Sequence, residues 1–384
     1  MIKLVDLNAQ YQSIKAEIDE AIAKVIADAA FISGKYAKIF EEEFAAYLGV
    51  KCCIGCGNGT DALEILLKAL GIGPGDEVIV PAHTWISTAE SVTTAGATPV
   101  FVDTTPALYT INAALIERHI TDRTKAIIPV HLYGHPAEMD TIMAIANSHG
   151  LKVLEDCAQA HGATYKGRKV GTIGHAAAFS FFPGKNLGAY GDAGGMVTND
   201  ESVAQVARMI ANHGRLGKHD HALEGRNSRL DGLNAAVLSA KLHHLEAWTE
   251  ARRSLAAVYD EALEREGVAV PLSLPDCKHV YHLYVVEVAG RDAVRDSLAL
   301  RDIETGVHYP KALPFLKAYA RFAHQQEEFP VAFESTSRIL SLPMYPELQV
   351  DSAKQIAAIL AESLRNSDLE SSEQTLSNSS TGKS

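Results

Sequence analysis

The sequence has no run of 18 or more apolar residues and no positively charged, apolar leader at its start. A transmembrane helix needs about 20 consecutive apolar residues, and a secretion signal needs a basic, apolar leader. We therefore expect no membrane span, no secretion and a cytoplasmic protein. Basic residues are also in deficit, because 35 lysines and arginines stand against 47 aspartates and glutamates, for a formal net charge of −12. This balance argues against a nucleic-acid or anionic-membrane partner.

Cysteine is scarce as well, with five residues: Cys52, Cys53, Cys56, Cys157 and Cys277. Their odd number and their spacing do not match a disulfide framework, which favours a reducing compartment. The three cysteines at 52–56 have no second pair of ligands at finger-like spacing. We therefore predict no metal site and interpret these cysteines as small apolar packing residues.

What the chain does contain is an alternation of strand and helix patterns over residues 71–200. The predicted strands, such as 77–80 with Val78, Ile79 and Val80, contain continuous runs of Val, Ile and Leu, which is typical of strands buried on both faces. Repeated βα units predict an α/β fold with a largely parallel sheet between helices. Ligands in such folds lie beyond the carboxyl ends of the strands.

The domain organisation follows from length and composition. With 384 residues the chain can bury a large core, and we expect a large domain at 1–245 and a smaller one at 246–366. A long amphipathic helix is predicted from Asp231 to about Leu263. The segment 367–384 is rich in Ser, Asn, Gln and Thr and is expected to be a disordered tail.

A glycine-rich turn at 55–61 leads directly into a predicted helix. The free N–H groups and the positive dipole end at Gly59 and Thr60 would suit a phosphate. The glycines also resemble a loose dinucleotide fingerprint, although their spacing is not Gly-x-Gly-x-x-Gly. As a purely structural turn they would need no ligand, so three interpretations stay open at this point.

Two charged residues follow predicted strands on one edge of the sheet. Asp156 ends the strand at 151–156, where it could hold a heterocyclic nitrogen protonated or cap the next helix. Lys185 follows the Pro-Gly turn at 183–184, where it is either a solvated loop lysine or a desolvated amine with a lowered pKa. A phosphate clamp, a carboxylate and an amine are the three parts that pyridoxal 5′-phosphate requires.

From about residue 4 to residue 349 the sequence resembles the DegT/DnrJ/EryC1/StrS family of sugar aminotransferases. The motifs that carry the resemblance are Gly-Asn-Gly-Thr-Asp-Ala-Leu (57–63), Pro-Ala-His-Thr-Trp (81–85), Glu-Asp-Cys-Ala-Gln (155–159), Ser180 with Phe-Phe-Pro-Gly-Lys (181–185), Gly-Asp-Ala-Gly-Gly (191–195), Asn-Ser-Arg-Leu-Asp (227–231) and His308-Tyr309-Pro310. The resemblance implies a fold-type-I aminotransferase that uses pyridoxal 5′-phosphate. Its large domain would hold a mainly parallel seven-stranded sheet between helices, followed by a smaller α/β C-terminal domain.

The resemblance also implies roles for the matched residues at the cofactor. Lys185 would form the Schiff base and shuttle a proton, and Asp156 would pair with the pyridinium nitrogen. The other implied cofactor contacts are Gln159 and Trp85 at the ring and Gly59, Thr60, Ser180 and Asn227 at the phosphate. Asn227 would reach across from the second subunit of a homodimer that shares its active sites.

Three further residues, Arg229, His308 and Tyr309, resemble the family's substrate-side positions. Alternatives exist for several matched residues: Trp85 could be a core aromatic, Ser180 could satisfy a strand end, and Arg229 could form a surface or interface ion pair.

The substrate expectation also rests on the resemblance. The motif at 191–195 and those at 227–231 and 308–310 are similar to the family members that aminate C-3 rather than C-4 of a nucleotide sugar. This similarity implies transfer from L-glutamate to a 3-keto sugar on dTDP or UDP. The alternatives are a 4-keto-sugar aminotransferase, a nicotinamide-dependent dehydrogenase and a non-catalytic regulator. A sugar 3-dehydratase is disfavoured because that group has histidine where Lys185 stands.

Overall fold

The computed structural model describes residues 1–380, with side chains described as far as Arg365. This part forms twelve β-strands: β1 Cys52–Cys56, β2 Glu77–Pro81, β3 Thr98–Val102, β4 Thr124–Ile127, β5 Lys152–Asp156, β6 Thr164–Tyr165, β7 Arg168–Lys169, β8 Ala176–Ser180, β9 Gly194–Thr198, β10 Cys277–Lys278, β11 Tyr284–Glu287 and β12 Ile339–Leu342. It also forms twelve α-helices: α1 Leu7–Ser13, α2 Lys15–Ala27, α3 Lys35–Leu48, α4 Gly59–Ala69, α5 Ser87–Thr94, α6 Met139–His149, α7 Glu201–Ala211, α8 Gly232–Leu242, α9 Leu245–Glu264, α10 Arg291–Ala299, α11 Pro330–Ser335 and α12 Val350–Ser380. Residues 381–384 and the side chains from 366 onward lie outside the described part, so the disordered tail at 367–384 stays a prediction.

Seven strands form one sheet in the order β1-β9-β8-β5-β4-β2-β3. Neighbours from β8 to β3 pair in parallel, and β9 is antiparallel to both β8 and β1. Six strands therefore point the same way, which confirms the predicted seven-stranded, mainly parallel sheet. Its two faces carry separate apolar clusters, one packed with α4, α5 and α7 and the other with α3 and α8.

The C-terminal part builds a second, smaller core. Strands β11 and β12 pair antiparallel, and α9, α10 and α12 pack around them in one apolar cluster. Strand β10 instead joins β6 and β7 in a three-stranded sheet, so the C-terminal part is also tied to the large domain. Among the described residues, no helix combines the length and apolar character that crossing a membrane requires.

The long helix predicted from Asp231 to about Leu263 is two helices, α8 and α9. The break falls at His243 and His244, where the His244 N–H bonds to the Lys241 carbonyl three residues back. The apolar periodicity continues through the break, and for that reason the sequence pattern does not reveal it.

Candidate active site

Lys185 lies in the turn after β8, at the carboxyl edge of the sheet. The turn closes on itself, because the Lys185 N–H donates to the Phe182 carbonyl and the Ala189 N–H to the Phe181 carbonyl, each at 2.8 Å. Burial in the cleft lowers the pKa of Lys185 to about 8, while the Asp156 charge acts in the opposite direction. The half-buried amine is therefore partly unprotonated near neutral pH, as a nucleophile toward a carbonyl must be.

Asp156 ends β5 on the same edge and is buried. Its carboxylate accepts hydrogen bonds from the Thr88 hydroxyl at 2.9 Å and the Ala158 N–H at 3.1 Å. Burial raises the pKa of Asp156, and its hydrogen bonds and the nearby Lys185 charge act against that rise. The described residues between β5 and α7 contain no helix, so the alternative that Asp156 caps the next helix is wrong. Its bond to Ala158 closes a turn instead.

The glycine-rich turn joins β1 to α4, whose first residues are Gly59 and Thr60. Asn58 caps the helix, because its side-chain oxygen accepts the Asp61 N–H at 2.8 Å. A Cβ at Gly59 would lie 2.7 Å from the Cβ of Ser180, so only glycine allows the start of α4 to approach the end of β8 this closely. The helix N-terminus and the Ser180 hydroxyl consequently lie together, in an arrangement suited to a phosphate.

The cysteines ahead of this turn pack as apolar residues. Cys56 belongs to the cluster on the α4 face of the sheet and Cys53 to the cluster on the α3 face. Burial raises the pKa of both thiols, which is the behaviour of packed rather than reactive cysteines.

Behind Asp156 lies a group with the spacing of a metal site, formed by His131, Glu155 and Cys157. The His131 Nδ1 accepts the Ala137 N–H at 3.0 Å, so its Nε2 carries the proton and donates to Glu155 at 3.0 Å. The same carboxylate accepts three backbone N–H groups, those of Gly171, Ile173 and Gly174. These bonds occupy both carboxylate oxygens without an ion, and the absence of a metal stays a prediction.

Three residues predicted near the cofactor and substrate meet on one side of the cleft. Gln159 donates from its Nε2 to the Tyr309 hydroxyl at 3.1 Å and accepts the Tyr133 N–H at 2.6 Å. The Trp85 ring lies 5.2 Å from the Tyr309 ring at a tilt of 45°. Trp85 is 55% exposed, which excludes the alternative that it is a core aromatic. The Tyr309 N–H donates to His83 Nε2 at 3.0 Å.

His308 brings the small domain to the same cleft. Its Nδ1 pairs with the Ser341 hydroxyl at 2.8 Å, its carbonyl accepts the Tyr133 hydroxyl, and its peptide bond to Tyr309 is cis. Burial lowers the pKa of His308 to about 4, and the Lys185 charge acts in the same direction. The ring is therefore neutral at physiological pH.

Asn227 and Arg229 contact none of these cleft residues within the described chain. Exposed Asn227 forms a bridge with Asn212, and Arg229 lines a cavity of about 660 Å³ bordered by α3, β1 and α7. Between them, Ser228 accepts the Gly57 N–H at 2.9 Å. The segment thus runs along the outer side of the glycine-rich turn.

Sequence reasoning missed several residues that shape the cleft. Burial lowers the pKa of His161 to about 3 and that of His282 well below its ordinary value. The nearby Lys185 charge lowers both pKa values further. Asn186 bonds to the Val280 carbonyl at 3.1 Å and to His282 Nδ1 at 3.2 Å. The sequence offered one signal, the position of His161 two residues after Gln159. The other contacts join segments far apart in the chain.

Together the sheet, the amine, the buried carboxylate and the helix N-terminus define a pyridoxal-phosphate-dependent aminotransferase of fold type I. The chain belongs to the DegT/DnrJ/EryC1/StrS aminotransferase family, which it matches over residues 12–361. This membership shows that the dehydrogenase interpretation of the glycine-rich turn is wrong.

The chain is similar to named relatives over nearly its whole length. It is 46% identical to "UDP-N-acetyl-3-dehydro-alpha-D-glucosamine 3-aminotranferase" of Acidithiobacillus ferrooxidans, covering 94% of this chain and 98% of that one. It is 45% identical to "Pleiotropic regulatory protein" of Geobacillus stearothermophilus, covering 95% and 99%. Among solved structures, S. venezuelae DesV in complex with a ketimine intermediate superposes with a TM-score of 0.92, at 44% identity over 94% of this chain and 98% of that one.

Proposed function

We propose that this enzyme transfers an amino group from L-glutamate to the C-3 keto group of a hexose linked to dTDP or UDP. The observation that carries the proposal is the single cleft that joins Lys185, Asp156 and the N-terminus of α4. The likeness to a UDP-sugar 3-aminotransferase supports the regiochemistry.

The cleft fits pyridoxal 5′-phosphate by three features. A Cβ at Gly59 would lie 2.7 Å from the Ser180 Cβ, so only glycine brings the N-terminus of α4 and the Ser180 hydroxyl together, as binding of one phosphate by both requires. Among the described residues the Asp156 carboxylate accepts hydrogen bonds from Thr88 and Ala158 alone, which leaves an oxygen lone pair for a ring N–H. When bound, the cofactor supplies an aldehyde carbon that carries the amino group between substrates and a ring that accepts the electron pair released at the substrate carbon.

Each residue of the cleft is assigned a separate role at the cofactor. The Lys185 amine would hold the cofactor aldehyde and would carry a proton between the substrate carbon and the aldehyde carbon of the cofactor. The Asp156 carboxylate keeps the ring nitrogen protonated by its negative charge. Trp85 and Gln159 lie beside the space for the ring. The phosphate is assigned to the first turn of α4, with Gly59 and Thr60, and to Ser180.

On the substrate side, we assign sugar contacts to His308 and Tyr309. The His308 ring is held by the Ser341 hydroxyl and Tyr309 by Gln159 and His83, so both are fixed in position before a sugar binds. Such preorganisation lowers the entropic cost of orienting the substrate.

A homodimer with shared sites is proposed because Asn227 and Arg229 lie outside the cleft of their own chain. In a dimer Asn227 would reach the partner's phosphate site, and Arg229 would bind a carboxylate or diphosphate of the substrate. Exposed large apolar side chains support an interface: Phe31, Ile32, Trp85, Phe182, Tyr190 and Leu233. A cytoplasmic location is proposed with it, consistent with five free cysteines.

The test of this function is spectroscopic and chemical. Purified enzyme incubated with pyridoxal phosphate should develop a visible absorbance band, and L-glutamate should bleach it as the amino group moves to the cofactor. A mass-spectrometric screen of 3-keto and 4-keto nucleotide sugars should then give an amino sugar from a 3-keto substrate. A protein that stays colourless would contradict the proposal, and amination of a 4-keto sugar alone would replace it with the C-4 alternative. The regulator alternative, which matches the name of one relative, predicts cofactor binding without product.

Replacing Asp156 with asparagine should lower kcat by about 100-fold or more, the range expected when a positioned proton partner is lost. Asparagine keeps the shape and can still bond to Thr88 and Ala158, but it carries no negative charge to hold the ring nitrogen protonated. The measurement is steady-state product formation beside a thermal unfolding scan. Thr88→Val is the matched control, since it removes one hydrogen bond to the Asp156 carboxylate but leaves its negative charge, and it should cost far less activity. Equal losses in both variants would refute the charge-based role.

A further inference from the structure

Lys241 is a buried lysine that none of the roles above uses. It lies on α8 with its side chain fully buried. Its Nζ donates to the Gly188 carbonyl at 2.7 Å and lies 4.2 Å from the centre of the Tyr190 ring. Both contacts are in the loop that begins with Lys185, so the ammonium holds the loop that carries the reactive amine.

Burying this ammonium costs stability. No carboxylate of the described residues forms an ion pair with Lys241, and the longer-range attraction of Glu347 does not prevent burial from lowering the pKa of Lys241 to about 8. Apolar side chains of similar size commonly stabilise such positions as well as or better than a buried charge. A destabilising group with two specific contacts is typical of a functional constraint.

The loop that Lys241 holds closes back on itself. Gly188 approaches the Pro183 carbonyl so closely that a Cβ would lie 2.3 Å from its oxygen. Holding Gly188 in place therefore also holds Pro183 at the start of the turn. Lys185 lies between these two residues in the chain. On the other side, Asn186 anchors the loop to Val280 and His282. Lys241 supplies the anchor that comes from the large domain.

We propose that Lys241 is a positioning residue for Lys185: its hydrogen bond to the Gly188 carbonyl fixes the direction from which the Lys185 amine enters the cleft. The inference rests on the proposed role of Lys185. Its action is geometric, since the charges that act on Lys185 include Asp156 and not Lys241.

The test uses the full-length protein with Lys241→Met, which keeps the length of the side chain and removes the donor. Thermal stability should be unchanged or higher, because a desolvated charge is gone. Hydrogen exchange in a peptide covering 183–190 of the cofactor-free protein should be about 10-fold faster. Covalent attachment of pyridoxal phosphate to Lys185, followed by absorbance and borohydride trapping, should be about 10-fold slower, as one lost charged hydrogen bond implies.

The chain offers a matched control in Lys169, which also donates to a backbone carbonyl, that of Tyr47, and lies 3.5 Å from the centre of the Tyr47 ring. Lys169→Met should leave loop exchange and attachment as in the wild type. Should Lys241→Met fail to fold, Tyr190→Leu removes the second contact that holds the same ammonium in place, with about 3-fold slower attachment expected in a folded protein.

The outcomes separate cleanly. Wild-type exchange and attachment in Lys241→Met, or in Tyr190→Leu where that variant stands in, would overturn the inference, as would equal changes in Lys169→Met. If the wild-type protein attaches no cofactor at Lys185, the proposed function fails instead. A more stable protein with a looser loop and slower attachment is the result that a purely structural lysine would not give.

Discussion

Lys185→Ala should reduce amino-group transfer by on the order of 10⁴-fold or more, because it removes both the amine that holds the cofactor and the base that moves the proton. The fold should persist, since a desolvated amine contributes no stability that an alanine would lose. Burial has already lowered the pKa of this amine to about 8, which is a measure of its unfavourable desolvation.

Borohydride reduction followed by mass spectrometry checks this expectation directly. The wild-type protein should gain the mass of one cofactor on the peptide that carries Lys185, and the variant should gain none there. Lys169→Ala is a suitable control because that lysine contacts Tyr47 rather than the cleft. A cofactor adduct on another lysine of the variant, with activity retained, would remove Lys185 from its assigned role.

The sequence predicted the parts of the site that depend on chain order. Asp156 and Lys185 each follow a strand of the sheet, and parallel strands bring their carboxyl ends to one edge. Gly59 and Thr60 open the helix that follows β1, whose carboxyl end lies at that edge too. Secondary-structure order and sheet topology are thus enough to assemble amine, carboxylate and phosphate site.

Contacts between distant segments could not be predicted in this way. Lys241 reaches Gly188 across 53 positions, and His83 reaches Tyr309 across 226. No local pattern marks such partners. The residues around a buried lysine or histidine on an apolar helix or at a strand end look the same in the sequence, whichever distant segment its side chain contacts.

The motif at 191–195 shows a second limit. The C-3 expectation rests partly on this motif, yet its members Ala193 and Gly194 are buried, and a Cβ at Gly194 would lie 2.3 Å from the Asn58 carbonyl oxygen. In the described chain the motif packs against the glycine-rich turn before α4, and Asp192 is its exposed polar member. Any influence on the sugar carbon is therefore indirect or comes through Asp192.

Acidification below pH 6.5 should destabilise the protein steeply, because several buried histidines are neutral in the folded state. Burial lowers the pKa of His83 and His135 to about 4 and that of His161 to about 3. The His83 and His135 Nε2 atoms accept the N–H groups of Tyr309 and Leu274, each at 3.0 Å, so protonation would break those bonds. His161 lies 5.4 Å from the Phe179 ring.

Proton linkage determines whether acid raises or lowers the free energy of unfolding. An unfolded histidine, with a pKa of about 6.5, binds a proton between pH 6.5 and 4, whereas the folded protein leaves these three unprotonated over that window. The contribution of these histidines to the free energy of unfolding should therefore be constant above pH 7 and fall below pH 6.5. Each histidine contributes at most about 1.4 kcal/mol per pH unit, and the three together about 4 kcal/mol per unit. Titration of buried carboxylates with raised pKa values, such as that of Asp156, acts against this fall.

Denaturant unfolding of the cofactor-free and cofactor-loaded protein at several pH values from 8 to 4.5 measures the slope. His135→Gln, which can still donate and accept a hydrogen bond, should reduce the slope below pH 6.5 by about 1.4 kcal/mol per unit, one proton's worth. His219→Gln is the matched control, because His219 is exposed in the loop after α7, and it should leave the slope unchanged.

A slope near zero in the wild type would mean that these histidines are protonated in the folded protein or that their pockets admit water. Equal effects of the two substitutions would mean that burial does not distinguish them. Either result would show that the buried, neutral histidines do not cause the acid sensitivity expected here.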